Sequence, residues 1–286
     1  MERPLRERVS RCILETMKAI FAVLFACQFP ACGLAWSGDL SSFEIKSSEA
    51  PQVPEPSGSE SQDEYETSSA KSGWSKLAAG AWMMGGSGSA LLIAFPGYSV
   101  QEAGAKNWAA AVAKGRDYGG VVTLLGPNKP GYSNDELNAA NKALVKKIRE
   151  LRPSAITIVA HSSGGFVANE FFSMFGGEEA AGKTAYYNLD GAFCSRCASI
   201  KERHSGFAYK CVSARQGNLV SPNAGSSKRC GSGHYKLVDA SSGCSGKWCL
   251  HAWLINRRAA KINADRPGIE TYYRDPDIKA YTDYLD

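Results

Sequence analysis

The sequence predicts an α/β fold in which a mainly parallel sheet carries helices on both faces. Short apolar runs alternate with longer amphipathic segments, and Gly or Pro residues follow the first two runs. Apolar runs bounded in this way are typical of buried strands. Strands that alternate with helices are joined by right-handed crossovers into a parallel sheet, whose ligands bind at the carboxyl ends of the strands. The residues that follow each predicted strand are therefore the candidates for chemistry.

Six strands and four helices are predicted in the part of the chain that begins at Trp74. The predicted strands are Leu91–Phe95, Val121–Leu125, Ile156–Ala160, Thr184–Leu189, Phe207–Val212 and Tyr235–Val238. The predicted helices are Ala103–Arg116, Asn134–Leu151, Phe166–Phe175 and Leu250–Ala264. Ser133 stands at the N-cap position of the second helix, whose apolar residues recur every three or four positions. Little sequence separates the third helix from the strands after it, so we expect no large cap domain.

The N-terminus predicts export through a signal peptide at residues 1–35. A basic region precedes the apolar run Ala19–Phe29, and small residues allow cleavage after Ala35. Two alternatives stay open. One is a membrane anchor, for which the run is short and is interrupted by Pro30; the other is lipid attachment at Cys27. Met17 is an alternative start of the same signal. We expect a secreted or periplasmic, and hence extracytoplasmic, location.

Composition separates a linker from a folded domain. Residues 36–73 are rich in Ser, Glu and Pro and hold few apolar residues, so we expect a disordered linker there. Residues 74–286 are predicted to form one domain, and a chain of 286 residues that is 44% hydrophobic can bury a core. The net charge of +5 is spread along the sequence without a basic stripe, so we expect no nucleic-acid partner.

Cysteine usage is typical of an oxidising compartment. Of nine cysteines, three fall in the predicted signal peptide, which leaves six. These disulfide candidates are Cys194, Cys197, Cys211, Cys230, Cys244 and Cys249. An even number clustered in the last third of the chain predicts disulfides, although the sequence does not select among the possible pairings. No further Cys or His stands at zinc-finger spacing from Cys194 and Cys197, so we expect no metal site.

The turn after the third predicted strand holds the candidate nucleophile. The sequence AHSSGG (residues 160–165) joins this strand to a helix, which is the strand–turn–helix context of a nucleophile elbow. Such a turn strains the backbone of the serine, so the residues two before and two after it must be small, as Ala160 and Gly164 are. Ser162 is the predicted nucleophile, and the side chain of His161 is expected to point away from it. A simple Ser/Gly helix cap is the alternative.

The segment IVAHSSGGFVANEFF (residues 158–172) resembles the nucleophile segment of the α/β-hydrolase superfamily. It is similar to that of small secreted bacterial lipases and esterases with an Ala-His-Ser-x-Gly-Gly elbow. The resemblance covers Leu91–Leu189, from the first predicted strand to the fourth. It implies the α/β-hydrolase fold and an acyl-transfer reaction on esters.

Two backbone N–H groups are the candidates for an oxyanion hole. Ser163 follows the nucleophile at the start of a helix, where its N–H can face a developing oxyanion. The resemblance places the second donor in the loop after the first predicted strand, where Pro96 and Gly97 precede Tyr98. Tyr98 is the predicted donor and Ser99 the alternative, while a plain Pro-Gly turn is the non-catalytic interpretation.

The acid of a triad follows the serine in α/β-hydrolases and precedes the histidine. Asp190, at the end of the fourth predicted strand, is the predicted acid. Asn218 occupies the region after the next strand where many family members carry Asp, but an amide cannot stabilise an imidazolium as a carboxylate does. Asp239 is the fallback, and an ordinary Asp-Gly turn is the alternative role of Asp190.

Three histidines follow the elbow. His251, at the start of the last predicted helix, is the predicted base. His234 is the alternative base, because Gly-Ser-Gly-His resembles the Gly-x-Gly-His that carries the base in some small lipases. The choice depends on whether Tyr235–Val238 is the final strand. His204 lies in a charged stretch typical of a surface, and a disulfide at Cys249 would brace the loop before His251.

Together these residues predict a secreted serine hydrolase of the lipase or carboxylesterase type. Ser162 would attack an ester carbonyl, His251 would transfer the proton and Asp190 would orient His251. The expected partner is a small-molecule or lipid ester, with lipid-surface contact as an option and the oligomeric state left open. We expect no metal or organic cofactor. A peptidase, amidase or thioesterase with the same triad and a non-catalytic binding protein of the same fold are the alternatives.

Overall fold

This computed structural model describes residues 73–127, 132–179, 182–240, 244, 246–256 and 273. The described residues form one sheet of nine strands and six helices. The strands are β1 (Trp74–Ala78), β2 (Ala81–Gly85), β3 (Ala90–Phe95), β4 (Tyr118–Leu124), β5 (Ala155–His161), β6 (Lys183–Leu189), β7 (Phe207–Gln216), β8 (Leu219–Val220) and β9 (Tyr235–Asp239). The helices are α1 (Glu102–Ala113), α2 (Asn134–Leu151), α3 (Gly164–Met174), α4 (Cys197–Arg203), α5 (Ala224–Lys228) and α6 (Lys247–Trp253). The predicted signal peptide (1–35), the predicted linker except Gly73, and the predicted last helix beyond Asn256 lie outside the described residues.

The sheet is mixed but mainly parallel. Its strand order is β1-β2-β4-β3-β5-β6-β7-β8, and β9 also pairs with β7. Five of the eight strand pairings are parallel, and the antiparallel ones are β1/β2, β2/β4 and β7/β8 at the two edges. The predicted fold class is therefore confirmed. Parallel strands end at the same edge of a sheet, so the loops after β3, β5, β6 and β7 lie together.

The neighbours of β3 show how this edge is built. The chain passes from β3 to β4 on one side, and β5 then returns to pair with β3 on the other. The register aligns Phe95, the last residue of β3, with Ala160 near the end of β5. The loop after β3 is therefore brought beside the turn after β5. A reversal of strand order at such a point opens a crevice at the carboxyl edge, where ligands bind.

Helices cover both faces of the sheet. The apolar residues of α1 and α6 pack on one face, and those of α2 and α3 pack on the other. The predicted start of α2 is observed: Ser133 Oγ accepts from Glu136 N at 3.2 Å, and Glu136 Oε2 accepts from Ser133 N at 2.8 Å. This reciprocal pair satisfies donors that the first helical turn leaves open.

Several short elements were not predicted. β1 and β2 form an antiparallel hairpin ahead of the first predicted strand, and the short helices α4 and α5 and the two-residue strand β8 lie between predicted strands. β7 continues to Gln216, four residues beyond the predicted end at Val212. Between β6 and β7 only the seven-residue α4 intervenes. Within the described residues no large cap domain is inserted there.

Three disulfides join the six cysteines after the predicted signal peptide. They are Cys194–Cys197, Cys211–Cys230 and Cys244–Cys249. Disulfides persist in oxidising compartments, which indicates an extracytoplasmic protein. Across the described ranges, no helix combines the length and the hydropathy that crossing a membrane requires.

Candidate active site

Ser162 lies in the turn between β5 and α3, with its backbone in the left-handed region at φ +56°. A β-carbon at Gly164 would lie 2.1 Å from the carbonyl oxygen of Phe95, a distance that no side chain tolerates. Ala160, two residues before the serine, is fully buried. The close approach of this turn to β3 therefore explains why small residues flank Ser162. This strained turn places Ser162 at the carboxyl ends of the parallel strands.

Backbone strain is concentrated at this edge. Four described residues other than glycine have positive φ: Ser99, Arg152, Ser162 and Asp190. Arg152 ends α2, and the other three lie in the loops that follow β3, β5 and β6. Residues held in such conformations cluster at functional sites, where the surrounding structure maintains them.

The Asp190 carboxylate is fully buried and accepts four hydrogen bonds. Its donors to Oδ1 are Ser213 Oγ at 3.0 Å and Ser221 Oγ at 2.7 Å. Its donors to Oδ2 are Asn223 N at 3.3 Å and His251 Nδ1 at 2.6 Å. A buried carboxylate is costly unless its lone pairs are satisfied, and these four donors satisfy them. The four contacts therefore hold the Asp190 side chain in one orientation at the carboxyl ends of the strands.

His251 is held on α6 with its ring almost completely buried. Because Nδ1 donates to the acceptor Asp190, Nε2 is the basic nitrogen of the neutral ring. Nε2 is a buried atom without a hydrogen-bond partner in the part of the chain that the structure describes. Trp248, one turn earlier on the helix, contacts the ring edge-on at a centroid distance of 5.5 Å. The histidine is thus oriented on one side and open to accept a proton on the other.

Two contacts, made by His161 and by Leu189, bring Ser162 close to His251 and Asp190. The ring of His161, which precedes Ser162, lies 4.4 Å from the ring of His251. Ser162 N donates to Leu189 O at 3.1 Å, and Leu189 precedes Asp190. The structure therefore gathers the three predicted triad residues at the ends of β5 and β6 and on α6. Catalytic contacts in free enzymes are often loose and tighten with substrate.

The two alternative histidines lie elsewhere. His234 precedes β9, at the amino end of a strand parallel to β7, and its ring stacks on Tyr209 at 4.0 Å. Its Nδ1 lies 3.2 Å from Tyr209 O. His204 lies 3.5 Å from Glu178 and lines a cavity of about 300 Å³ at the amino ends of β6 and β7. Both positions are at the sheet edge opposite to the one that carries Ser162.

The alternative acids are also apart from His251. Asp239 forms an exposed ion pair with Arg215, whose Nε lies 2.7 Å from Oδ1. This pairing lowers the pKa of Asp239. Asn218 lies in the turn that joins β7 to β8. Among the described residues, neither Asp239 nor Asn218 forms a hydrogen bond or ion pair with His251, whereas Asp190 forms both.

The loop after β3 presents one free amide. Gly97 N donates to the Tyr273 hydroxyl at 3.0 Å, and Ser99 N donates to Pro127 O at 2.8 Å. Between them, the Tyr98 N–H has no acceptor among the described residues. The Ser163 N–H is likewise without a described acceptor at the start of α3. Of the two predicted loop donors, Tyr98 is thus available and Ser99 is occupied.

His161 has neither ring nitrogen free for Ser162. Nδ1 lies 2.5 Å from the Tyr273 hydroxyl, and Nε2 lies 3.1 Å from His251 O. Burial, and then the neighbouring His251, lowers the pKa of His161 well below its usual value, so the ring is neutral. The sequence offered no sign that Tyr273 would reach this position. Nor did the sequence predict that Ser213, Ser221 and Asn223 bind Asp190, because these residues follow it by 23 to 33 positions and reach it only through tertiary packing.

Three exposed aromatic side chains adjoin the site. Tyr98, Phe166 and Trp248 are 49%, 64% and 43% exposed. Tyr98 follows Gly97 in the loop beside Ser162, Phe166 lies in the first turn of α3, and Trp248 contacts His251. Large apolar side chains left open to solvent often mark a binding surface. No group of three metal-ligating side chains occurs within the described ranges.

Comparison with known proteins finds only distant similarity. No protein-family model and no curated protein sequence matches the chain. Among solved structures, the chain is similar to Aspergillus fumigatus lipase B, at 11% identity and a TM-score of 0.34, over 66% of this chain and 57% of that one. The epoxide hydrolase CorEH matches at 20% identity and a TM-score of 0.28, over 41% of each chain. An AqdC variant that cleaves the ring of the Pseudomonas quinolone signal matches at 20% identity and a TM-score of 0.29, over 41% of this chain and 45% of that one.

The chain therefore spans at most 57% of the length of these three proteins. Likeness at this level carries no argument about activity. The fold follows from the molecule itself: the strand order β1-β2-β4-β3-β5-β6-β7, the helices on both faces and the strained serine turn after β5. By these features the chain has the α/β-hydrolase fold.

Proposed function

We propose that this protein is an exported serine hydrolase that cleaves carboxylic esters through an acyl-enzyme on Ser162. The observation that carries the proposal is the buried pair of Asp190 and His251, in which Nδ1 is bound and Nε2 is left without a partner. A serine nucleophile needs a base that is oriented on one nitrogen and free on the other. A strained serine turn beside this pair supplies the nucleophile.

In the first half-reaction Ser162 Oγ attacks the ester carbonyl carbon, and its proton passes to His251 Nε2. The carbonyl oxygen becomes an oxyanion that accepts hydrogen bonds from the N–H groups of Tyr98 and Ser163. Asp190 stabilises the imidazolium through Nδ1. When the tetrahedral intermediate collapses, the alkoxide oxygen leaves with the proton from Nε2, so an alcohol departs and the acyl group remains on Ser162.

In the second half-reaction water attacks the acyl carbon and gives a proton to His251 Nε2. Collapse of the second tetrahedral intermediate returns this proton to Ser162 Oγ and releases a carboxylic acid. These steps use no metal ion and no organic cofactor. The net change is the addition of one water across the ester bond.

The exposed aromatic residues support an ester with an apolar acyl or alcohol group. Tyr98, Phe166 and Trp248 each adjoin one part of the site, and all three are open to solvent. Burying such side chains against an apolar substrate is favourable by about 25 cal/mol for each Å² removed from water. We include small-molecule and lipid esters in the proposal, with contact to a lipid surface through the same three side chains.

Export also belongs to the proposal. The three disulfides support folding outside the cytoplasm. A signal peptide at 1–35 and a linker at 36–73 ahead of a domain at 74–286 remain predictions from the sequence.

Labelling with a fluorophosphonate tests the proposal directly. The full chain would be produced in a disulfide-forming compartment and treated with the probe beside Ser162→Ala and Ser163→Ala. Ser163 is the matched control, because its side chain makes no capping hydrogen bond. We expect the wild type and Ser163→Ala to be labelled and Ser162→Ala to remain unlabelled. A folded wild type that resists the probe would favour a non-catalytic binding protein of the same fold.

Turnover of matched esters and amides tests the reaction class. The wild type should hydrolyse p-nitrophenyl esters, and hydrolysis should rise as the acyl chain lengthens from acetate to octanoate. Replacing Trp248 with Ala should reduce the preference for octanoate more than it reduces acetate turnover. Faster cleavage of the matched anilides or thioesters would assign a peptidase, amidase or thioesterase instead.

A further inference from the structure

A buried hydrogen-bond chain joins the two halves of the site. It runs from Gly97 N to the Tyr273 hydroxyl at 3.0 Å, from this hydroxyl to His161 Nδ1 at 2.5 Å, and from His161 Nε2 to His251 O at 3.1 Å. Tyr273, His161 and His251 are all almost completely buried. Neither Tyr273 nor His161 takes part in the proton transfers of the proposed hydrolysis.

The direction of every proton in this chain follows from its acceptors. The carbonyl of His251 can only accept, so His161 Nε2 carries the ring proton and donates it. In a neutral ring Nδ1 is then an acceptor, and the Tyr273 hydroxyl donates to it. The hydroxyl oxygen keeps a lone pair, which accepts the Gly97 N–H. Each member therefore has one arrangement, and none can reverse without breaking a neighbouring bond.

At one end the hydrogen-bond chain orients the loop after β3, which carries the Tyr98 amide. Tyr273 binds the amide of Gly97, and Pro127 O binds the amide of Ser99, so the peptide planes on both sides of Tyr98 are fixed. A β-carbon at Gly97 would lie 3.1 Å from both Ser162 Cβ and the Tyr273 hydroxyl. The loop thus passes between the nucleophile and Tyr273, and the tyrosine limits how far it can move away from the serine.

At the other end the chain holds the helix of the base. His251 O lies in the last turn of α6, where carbonyl groups lack intrahelical partners. His161 supplies a donor to this carbonyl, and its ring packs on the His251 ring at 4.4 Å with an interplanar angle of 37°. Helix α6 is therefore held in place by His161, the residue that precedes Ser162.

Tyr273 is itself anchored by α1. Asn107 Nδ2 donates to Tyr273 O at 2.8 Å, and the ring of Trp108 meets the tyrosine ring edge-on at 5.5 Å. These contacts fix the tyrosine at its backbone and at its ring. The hydroxyl of the residue held in this way contacts Gly97 and His161.

We propose that Tyr273 is a positioning residue for the hydrolysis. Through its hydrogen bonds to Gly97 and His161, it aligns the Tyr98 amide and helix α6, which carries His251, with Ser162. This inference rests on the proposed function. Tyr273 touches neither substrate nor reacting atoms in this role. Its removal should weaken binding of the transition state more than binding of the ester, because donor and base are both aligned through it.

Tyr273→Phe in the full chain tests the inference, since it removes only the hydroxyl. We expect kcat for p-nitrophenyl butyrate to fall by about 10- to 100-fold, with KM changed by about threefold or less. The inhibition constant of a boronic acid, which mimics the tetrahedral intermediate, should rise by a similar factor to the loss in kcat. The matched control is Tyr186→Phe: Tyr186 is equally buried and its hydroxyl has no described partner. It should leave kcat unchanged.

Two variants of His161 test the two hydrogen bonds of its ring separately. An Asn amide reaches the position of the δ nitrogen and a Gln amide that of the ε nitrogen, so His161→Asn keeps the link to Tyr273 and His161→Gln keeps the link to His251. Each should lower kcat. Combining Tyr273→Phe with His161→Gln should cost less than the product of the single effects, because the two residues act on one path.

The outcomes separate the inference from the function on which it rests. A wild type that neither reacts with a fluorophosphonate nor cleaves esters overturns both. A wild type that does both, beside a Tyr273→Phe variant that keeps its kcat within about twofold, overturns the inference alone. The inference is also overturned if Tyr273→Phe lowers both kcat and the melting temperature while the inhibition constant of the boronic acid does not rise. That result is expected of a protein that is merely destabilised.

Discussion

Asp190 Oδ2 and His251 Nδ1 lie 2.6 Å apart, although 61 positions separate the two residues in the chain. Both side chains are buried. Asp190 comes from the end of β6, and His251 comes from α6. The two serines and the Asn223 amide satisfy the remaining lone pairs of the carboxylate. The pair is therefore fixed in one geometry, and the tautomer of the histidine is fixed with it.

Asp190→Asn should abolish most activity while the protein stays folded. The amide can donate to His251 Nδ1, which would place the ring proton on Nε2 and remove the base. We expect kcat to fall by about 10³- to 10⁴-fold. Initial rates on p-nitrophenyl butyrate measure the loss. Asp239→Asn is the matched control, because Asp239 pairs with Arg215 at the surface, and a similar loss in that variant would contradict the assignment.

The two candidate bases can be told apart by substitution. His251→Ala should lose fluorophosphonate labelling and ester turnover, because no other described histidine contacts Asp190. His234→Ala should keep both, since its ring stacks on Tyr209 at the amino ends of the strands. Labelling that survives in His251→Ala and disappears in His234→Ala would reverse the assignment.

The sequence predicted those parts of the molecule that depend on local pattern. The apolar runs that became β3, β5 and β6, the strained turn at Ser162 and the carboxyl-edge position of Asp190 all follow from residues close together in the chain. The hairpin of β1 and β2 was missed because both strands are short, β1 lies at the sheet edge, and neither strand shows a clear alternation of buried and exposed residues. Propensity and periodicity are weak signals in such strands.

Contacts between distant segments could not be predicted in the same way. The choice between His251 and His234 depended on where β9 pairs, and that pairing joins β9 to β7 across a disulfide-linked segment. Tyr273 reaches Gly97 over 176 positions, and nothing near it in the sequence marks that contact. The cysteine pairing likewise required the fold. Each of these features is decided by tertiary packing rather than by a local pattern.

Gly164→Ala should destabilise the protein and impair the site. The added methyl group would lie 2.1 Å from Phe95 O and 2.6 Å from Pro96 O, and backbone atoms cannot move aside as a side chain can. We expect a loss of about 3 kcal/mol or more in the free energy of unfolding. Urea denaturation measures it. Gly225→Ala, a helical position with no atom within 4 Å of the new group, should be neutral or slightly stabilising.

Removing the Cys244–Cys249 disulfide should reduce activity more than removing Cys194–Cys197. Sequence separations of five and three close loops of similar size, so each bond contributes about 2 kcal/mol in the chain-entropy model. Only Cys249 lies on α6 beside His251. Paired Cys→Ser variants should therefore show similar melting temperatures but a lower kcat for the first pair. Equal kcat values would show that the first bond has no role in holding the histidine.

Acid should destabilise the protein in part through His161. Burial, and then the neighbouring His251, lowers the pKa of His161 in the folded state, whereas in the unfolded chain it keeps its ordinary value near 6.5. Below about pH 6.5 the unfolded state therefore binds a proton that the folded state excludes, and the free energy of unfolding falls. This loss, up to about 1.4 kcal/mol per pH unit, continues until the folded pKa is reached.

The contribution of this one ring can be isolated with His161→Asn, which cannot titrate. Above the unfolded pKa the wild type should be the more stable protein, because both hydrogen bonds of His161 are intact. As the pH falls, the wild type should lose stability faster than the variant, so the difference between them should shrink. Urea denaturation of both proteins across the range from neutral to mildly acidic pH measures this difference. A gap that stays constant with pH would mean that His161 has the same pKa in the folded and unfolded states, which would contradict the lowering of its pKa by burial.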